Sequence, residues 1–414
     1  MENKAFCILP FVHTFLNTQG DVFPCCLSMS ESNTIGYLKD NTLEELFNST
    51  KMKQLRLDLA NGVKRPDVCN TCYKSEDNGF VTSRQSLNKE LSHMIEPALS
   101  SVHADGYIEP KLKSWDIRYS NLCNLKCRSC GDIYSTTWSK ENEEHENIPY
   151  KEIKAYDGKD PLKDQYENVE KIYFAGGEPL IMPEHYVTIT ELIKKDRAKK
   201  VTLLYNTNIT KLNYNKHQLM DYWKEFKKVN LGLSIDSFGD RANYIRHGSV
   251  KWNKIEENIR LLAEYSNQED SNITYYFAPT ISVFNIYTIT DLHRYLFENN
   301  LMPSIEHIIF NMLYDPDELS LSILPKSIKT EIQNKIVKHI EWIKDNNGTQ
   351  HSIGQFEGLL HYLNTDSNER NINTFFSRTN ELDFRRNESF PKTFPEYKDW
   401  WEEIASNTIR SINI

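Results

Sequence analysis

From Trp115 onward the chain alternates short runs rich in β-branched and aromatic residues with stretches whose apolar residues recur every three or four positions. The first pattern predicts buried strands and the second predicts amphipathic helices. The predicted strands are SWDIRYS, VEKIYFAGG, VTLLYNTN, VNLGLSIDS, ITYYFAPTISV and SIEHIIFNML. One helical stripe between them runs through Leu219, Trp223 and Phe226, and another through Trp252, Ile255, Ile259 and Leu262; both are expected to be core. Strands alternating with helices predict a parallel sheet of βα units in an α/β fold. Six such units make an open or partial (β/α)6 barrel, since a closed one takes eight. Beyond residue 326 the chain reads as a helical extension, with Ile332, Ile336, Ile340 and Ile343 at helical intervals.

The cysteines divide the chain further. Cys7, Cys25, Cys26, Cys69 and Cys72 lie in the first 95 residues, whereas Cys123, Cys127 and Cys130 follow a polar segment containing Gly106 and Pro110. At 414 residues the chain exceeds the ~250–300 residues at which single cores stop growing. The expected organisation is a small cysteine-rich domain over 1–95, a linker over 96–112, the partial barrel over 113–325 and the helical C-terminal extension over 326–414.

Composition narrows the function classes. Apolar residues at 39% and charged residues at 26% fit a soluble globular protein, and no apolar run reaches the ~18–20 residues of a membrane span. Near the N-terminus, AFCILPFVHTFL is interrupted by Pro10 and His13 and precedes no small-residue cleavage site, so no export signal is expected. Eight cysteines without export point to metal or redox use in the cytoplasm, not to disulfides. A net charge of −9 disfavours nucleic acid as a partner.

Polar clusters end four successive predicted strands, the place where parallel α/β folds collect functional groups. The first strand is followed by Cys123, Cys127 and Cys130, and three thiolates on a four-iron cluster leave one iron open. The second ends in Gly176, Gly177 and Glu178, where the glycines permit a close approach to the backbone and Glu178 suits a cationic amine. The third ends in Asn206-Thr207-Asn208, and the fourth in Ser234-Ile235-Asp236-Ser237.

The CxxxCxxC loop, the GGEP run and SIDS followed by Tyr244-Ile245-Arg246 together resemble the radical S-adenosylmethionine (SAM) superfamily over roughly residues 113–325. The resemblance implies that Cys123, Cys127 and Cys130 hold a [4Fe–4S] cluster whose open iron is chelated by SAM. It further implies that Gly176, Gly177 and Glu178 receive the SAM amine, that Arg246 receives the carboxylate, and that Ser234 and Asp236 serve the carboxylate and ribose region. Asn206 joins this cofactor-binding set. The residue before the third cysteine, commonly aromatic in the family, is Ser129 here, which leaves Tyr134 as a candidate for packing on adenine. The implied chemistry is reductive cleavage of SAM to a 5′-deoxyadenosyl radical, with an electron from a flavodoxin or ferredoxin-type donor.

Cys7, Gly20 and Cys25 have the C-x12-G-x4-C spacing that resembles SPASM/twitch auxiliary-cluster domains, and Cys69 and Cys72 complete four thiols. The following IGYLKDNTLEELFNSTKMKQLRLDLANG is similar to the linking segment of those domains. The resemblance and this shorter set imply one auxiliary cluster, of the [4Fe–4S] type, on a module placed before the barrel instead of after it. A four-cysteine zinc site is the alternative.

Several residues carry two readings. Cys26 is either a hydrogen-atom donor near a radical or a small residue in the cluster's turn, able to exchange roles with Cys25. His247 is a proton-transfer group or a hydrogen-bonded loop residue, and Asn285 a SAM contact or a turn residue. The stretch FFSRTNELDFRRNESFPKTFPEYKDWW either caps the site over an anionic or peptide substrate or packs with Arg378, Arg385 and Arg386 paired to carboxylates. Three functions are expected to compete: hydrogen abstraction from a peptide or small molecule leading to oxidation, crosslinking or epimerisation; methyl or group transfer; and a non-catalytic iron–sulfur or zinc scaffold.

Overall fold

The computed structural model describes residues 3–77, 81–158, 160–214, 217–364 and 371–412. Residues 1–2 and 78–80 of the expected N-terminal domain, and 365–370 and 413–414 of the expected helical extension, lie outside the described residues.

The strands are β1 His13–Leu16, β2 Asp21–Phe23, β3 Gly36–Tyr37, β4 Ser114–Ile117, β5 Lys171–Phe174, β6 Thr202–Thr207, β7 Asn213–Tyr214, β8 His217–Gln218, β9 Lys228–Leu233, β10 Ile273–Phe277, β11 Thr280–Ile281 and β12 Asn311–Met312. Eight of them form one sheet in the order β10-β9-β6-β5-β4-β1-β2-β3. β4, β5 and β6 pair in parallel with matched register, Trp115 opposite Ile172 and Ile172 opposite Leu203. The α/β partial barrel expected from the sequence is therefore present, with two differences. The sixth expected strand meets the main sheet through a parallel bridge, Ile308 to Phe277 at the end of β10, while its Asn311 and Met312 pair in parallel with Thr280 and Ile281 as a separate ladder. Pro279 lies between β10 and β11, and because proline has no N–H to give to a ladder, the run breaks there. The second difference is at the other edge, where β1 pairs in parallel with β4, Phe15 opposite Asp116, and extends the sheet through the antiparallel β1–β2 and β2–β3 pairs.

Side-chain burial along the strands separates the two sheet faces. In β5, Ile172 and Phe174 are buried while Lys171 and Tyr173 are half-buried; in β6, Leu203, Tyr205 and Thr207 are buried while Thr202, Leu204 and Asn206 are half-buried. The first set faces the helices, and Asn206, Tyr173 and their registered neighbours face the accessible side.

Contacts divide the chain into two compact units, Met1–Leu122 with Lys151–Tyr205 and Asp221–Val229, and Cys123–Tyr150 with Asn206–Met220 and Asn230–Ile414. In the second unit the expected stripes are core: Trp252, Ile255, Ile259 and Leu262 are buried on the helix Trp252–Ser266, and Ile332, Ile336, Ile340 and Ile343 on Lys326–Asp345. Leu219, Trp223 and Phe226 are buried as expected, although the helix Leu219–Trp223 stops before Phe226.

The N-terminal module of the first unit is tied together by one cation. Arg56, fully buried on the helix Thr50–Ala60, donates to the carbonyls of Pro10 (2.7 Å), Gly106 (3.1 Å) and Phe47 and to Asn48 Oδ1 (3.1 Å). Burial lowers its pKa to about 10, yet carbonyl dipoles keep it charged. Replacing Arg56 with Leu should cost more than about 2 kcal/mol in urea unfolding, because several buried carbonyls lose their donor. A variant as stable as the parent would contradict this.

Candidate functional site

The cysteine loop begins where β4 has run out, and no regular element satisfies its backbone. Neighbouring side chains do so instead. Thr136 and Thr137, at the start of the helix Thr136–Glu146, donate to the Cys123 carbonyl (3.2 and 2.5 Å); Ser135 donates to Leu125 O (2.6 Å) and the Trp138 indole to Cys127 O (2.8 Å). A short antiparallel strip completes the hold: Lys126 N bonds His247 O (2.7 Å), Arg128 N bonds Ile245 O (2.9 Å), and Leu125 bridges Gly248. Gly248 permits that approach, for a Cβ there would lie 2.4 Å from Leu125 Cδ2 and 2.9 Å from Asn124 O.

This strip brings Arg246 onto the loop. Its Nη1 lies 3.7 Å from Cys127 Sγ, while Asp236 holds the other side of the guanidinium, with Nε to Oδ2 at 2.8 Å and Nη2 to Oδ1 at 3.1 Å. Asp236 Oδ1 also accepts from Thr280 N at 2.8 Å. Burial works against the charge on Arg246, and Asp236 more than restores it. Ser234 is half-buried with its N–H bound to Thr207 O (2.8 Å). Asn206 sits over Gly232, whose missing Cβ would lie 2.6 Å from Asn206 Oδ1. Burial raises the Cys127 thiol, and raises Cys130 to about 12 with the nearby Cys127 adding to it. Three thiols on one loop are a donor set that suits iron.

In the first unit, Gly177 N bonds Ser120 O (3.2 Å) and Glu178 N bonds Leu122 O (2.7 Å), the residue just before Cys123. The close approach allowed by the two glycines is made by the chain itself: a Cβ on Gly177 would lie 2.2 Å from Leu122 O, and Gly176, at φ +110°, sits against Arg118. Glu178 is buried, and its Oε1 accepts from Leu180 N at 3.0 Å.

The same unit gathers the N-terminal thiols. The helix Pro66–Asp77 presents Cys69 and Cys72 three residues apart on one face. Burial raises Cys7 far above an ordinary thiol, and Cys25, Cys69 and Cys72 each add to that rise, so all four share one electrostatic neighbourhood. Cys69 is raised to about 12 by burial and then by Cys25. Among the described residues no three His, Cys, Asp or Glu side chains form a site for a single metal ion. Cys26 is raised to about 12 by burial and then by the Asp116 carboxylate, with Cys25 adding to it.

The plainer readings hold for the other residues. His247 Nδ1 meets Glu388 Oε1 at 2.8 Å. Asn285 is a turn residue, its Nδ2 donating to Asp236 O (3.2 Å) and Thr280 O (2.9 Å) and its Oδ1 accepting from Ser282 N (2.9 Å). Arg378 pairs with Glu318, Arg385 with Glu146 and Glu381, and Arg386 with Glu141. Sequence reasoning missed Arg128, which lies between two loop cysteines. It is fully buried, stacks 3.6 Å over the Tyr244 ring, and donates to Asp383 (2.6 Å) and Glu388 (2.7 Å). Glu141 was missed as well: buried, it accepts from Lys126 (2.5 Å) and from Arg386 (2.7 and 3.1 Å).

Burial alone would raise Glu141, but the bonds from Arg386 and Lys126 prevail and hold it at about 2, below its ordinary 4.5. Its stabilisation is therefore complete above pH ~4.5 and is lost as the pH falls toward 2. Glu141→Gln should cost about 3 kcal/mol or more at pH 7 in urea unfolding, by leaving two buried cations uncompensated, and the difference from the parent should shrink below pH 4.

Comparison with known proteins follows the same division of the chain. Residues 7–73 match the family model SPASM, an iron–sulfur cluster-binding domain, and residues 117–290 match that of the radical SAM superfamily. No curated protein matches. Among solved structures, "Native anSMEcpe with bound AdoMet and Kp18Cys peptide" is similar at 20% identity and a TM-score of 0.41, over 57% of this chain and 62% of that one. The chain thus spans less than two thirds of that protein's length. The SPASM match contains Cys7, Cys25, Cys69 and Cys72, and what that domain implies is an iron–sulfur cluster, not the zinc alternative. Residues 117–290 are a radical SAM domain, with the [4Fe–4S] cluster and SAM which that domain implies, and residues 7–73 are an SPASM domain with an auxiliary iron–sulfur cluster, placed ahead of it.

Proposed function

We propose that the chain is a radical SAM enzyme that abstracts a hydrogen atom from a peptide or small-molecule substrate, leading to oxidation, crosslinking or epimerisation. The observation that carries this reading is the strip that locks Arg246 against the Cys127 loop, with Asp236 behind it. When bound, the cluster and SAM supply one electron and a 5′-deoxyadenosyl radical that takes hydrogen from the substrate. On this reading Cys123, Cys127 and Cys130 ligate the cluster. Arg246 receives the SAM carboxylate, and Asp236 acts mainly by orienting Arg246. Glu178, fixed by Gly176 and Gly177 against the end of β4, receives the amine, while Ser234 and Asn206 face the rest of the nucleoside. The Arg246 cation beside Cys127 also favours the thiolate that iron needs.

Cys7, Cys25, Cys69 and Cys72 hold one auxiliary cluster, which accepts an electron if the product is oxidised. The domain limits 1–95, 113–325 and 326–414 are part of this proposal, as are a cytoplasmic location and a flavodoxin or ferredoxin-type donor. The described helices include none long and apolar enough to cross a membrane, in keeping with that donor.

Anaerobic reduction with SAM tests the reading. The parent should release 5′-deoxyadenosine and Cys127→Ala should release none; product from the variant would overturn the ligand assignment. Methylthioadenosine or S-adenosylhomocysteine in place of 5′-deoxyadenosine would move the reaction to group transfer. Iron analysis should give about eight irons per chain, for two four-iron clusters, and about four would remove the auxiliary one.

A further inference from the structure

Asp116 on β4 and Arg118 just past its end lie two residues apart, and neither is used by the cofactor assignment. Asp116 is only 4% exposed, and its Oδ1 has no hydrogen-bond partner among the described residues. Arg118 Nε is buried and equally without one. The two atoms form an ion pair with each other at 3.7 Å, longer than a hydrogen bond. A buried oxygen and N–H paired by charge but not by a hydrogen bond keep hydrogen-bonding capacity that a ligand placed between them would use.

The surroundings keep the pair fixed. Arg118 stacks over the Phe15 ring at 4.9 Å, and Gly176 leaves room beside it, since a Cβ there would lie 3.0 Å from Arg118 Cβ. In register with Asp116 on β5 is Tyr173, half-buried on the accessible side of the sheet. The Cys26 thiol lies in the electrostatic neighbourhood of the Asp116 carboxyl. One acceptor and one donor, side by side at the end of a rigid strand, match a residue of an extended peptide, whose own N–H and C=O point to the same side of its backbone.

We propose that Asp116 and Arg118 form a substrate subsite that binds one residue of an extended peptide, its N–H donating to Asp116 and its C=O accepting from Arg118. This rests on the enzymatic reading above and names its substrate class as a peptide. Recognition through main-chain groups makes the subsite indifferent to the side chain at that residue. Specificity then falls to neighbouring positions.

The test uses the anaerobically reconstituted full-length holoprotein and N-acetylalanine N-methylamide, a blocked residue carrying only main-chain donors and acceptors. Crystals soaked with the probe should place its N–H on Asp116 and its C=O on Arg118. Binding in solution should weaken at least about tenfold in Asp116→Leu and in Arg118→Met, with iron content reporting that each variant is folded. Probe density elsewhere, a water retained between the two side chains, or equal binding by both variants would overturn the proposal. Binding of free alanine in place of the blocked residue would overturn it too, in favour of a zwitterionic amino acid. The SAM-cleavage assay on the parent protein reads separately: probe bound without 5′-deoxyadenosine contradicts the enzymatic reading, whereas 5′-deoxyadenosine without bound probe contradicts the subsite.

Discussion

A loop that offers three half-buried thiols has to satisfy its own backbone without belonging to a helix or a sheet, and that requirement organises much of the structure around it. Buried N–H and C=O groups need partners. Here the partners are the hydroxyls and indole at the start of the helix Thr136–Glu146 and the strip formed with residues 245–248. The strip that quiets the loop's backbone is also what delivers Arg246 to Cys127. Architecture and chemistry share those bonds, so Gly248 is as much a condition of the site as the cysteines are.

Charge is the second constraint. Cys127 lies between Lys126 and Arg128, two cations drawn into the interior with the loop. Within the second unit, Lys126 is met by Glu141, and Arg128 by Asp383 and Glu388 from the C-terminal region. Arg386 on the helix Ile372–Arg386 returns to the other side of Glu141. The C-terminal extension therefore balances the loop electrostatically, and Arg386 is occupied by this work. Breaking one member leaves its neighbours charged and buried, which is the costly way to disturb such a network.

The sequence carried the strands, the cysteine spacing and the polar strand ends, because each is a local pattern with a period or a fixed offset. Trp252, Ile255, Ile259 and Leu262 lie where their spacing puts them. What it did not carry depends on partners distant in the chain. Arg128 reads as a solvent-facing basic residue until Asp383, 255 positions away, is brought to it. The pairing of β1 with β4 was equally hidden, since a strand of four residues leaves no signature of its neighbour. Gly176 and Gly177 were legible as a close approach, but the approaching atom, the chain's own Leu122 carbonyl, was not.

The central claim is that one cluster is built for SAM by the 123–130 loop and a second is held by the N-terminal module. Electron paramagnetic resonance of the reduced protein, with and without SAM, tests it most directly. The account predicts that SAM alters the signal of one cluster and leaves the other unchanged. Replacing Cys123, Cys127 and Cys130 together with Ala should remove only the SAM-responsive signal. A SAM-responsive cluster that survives the triple replacement, or two clusters both indifferent to SAM, would contradict it.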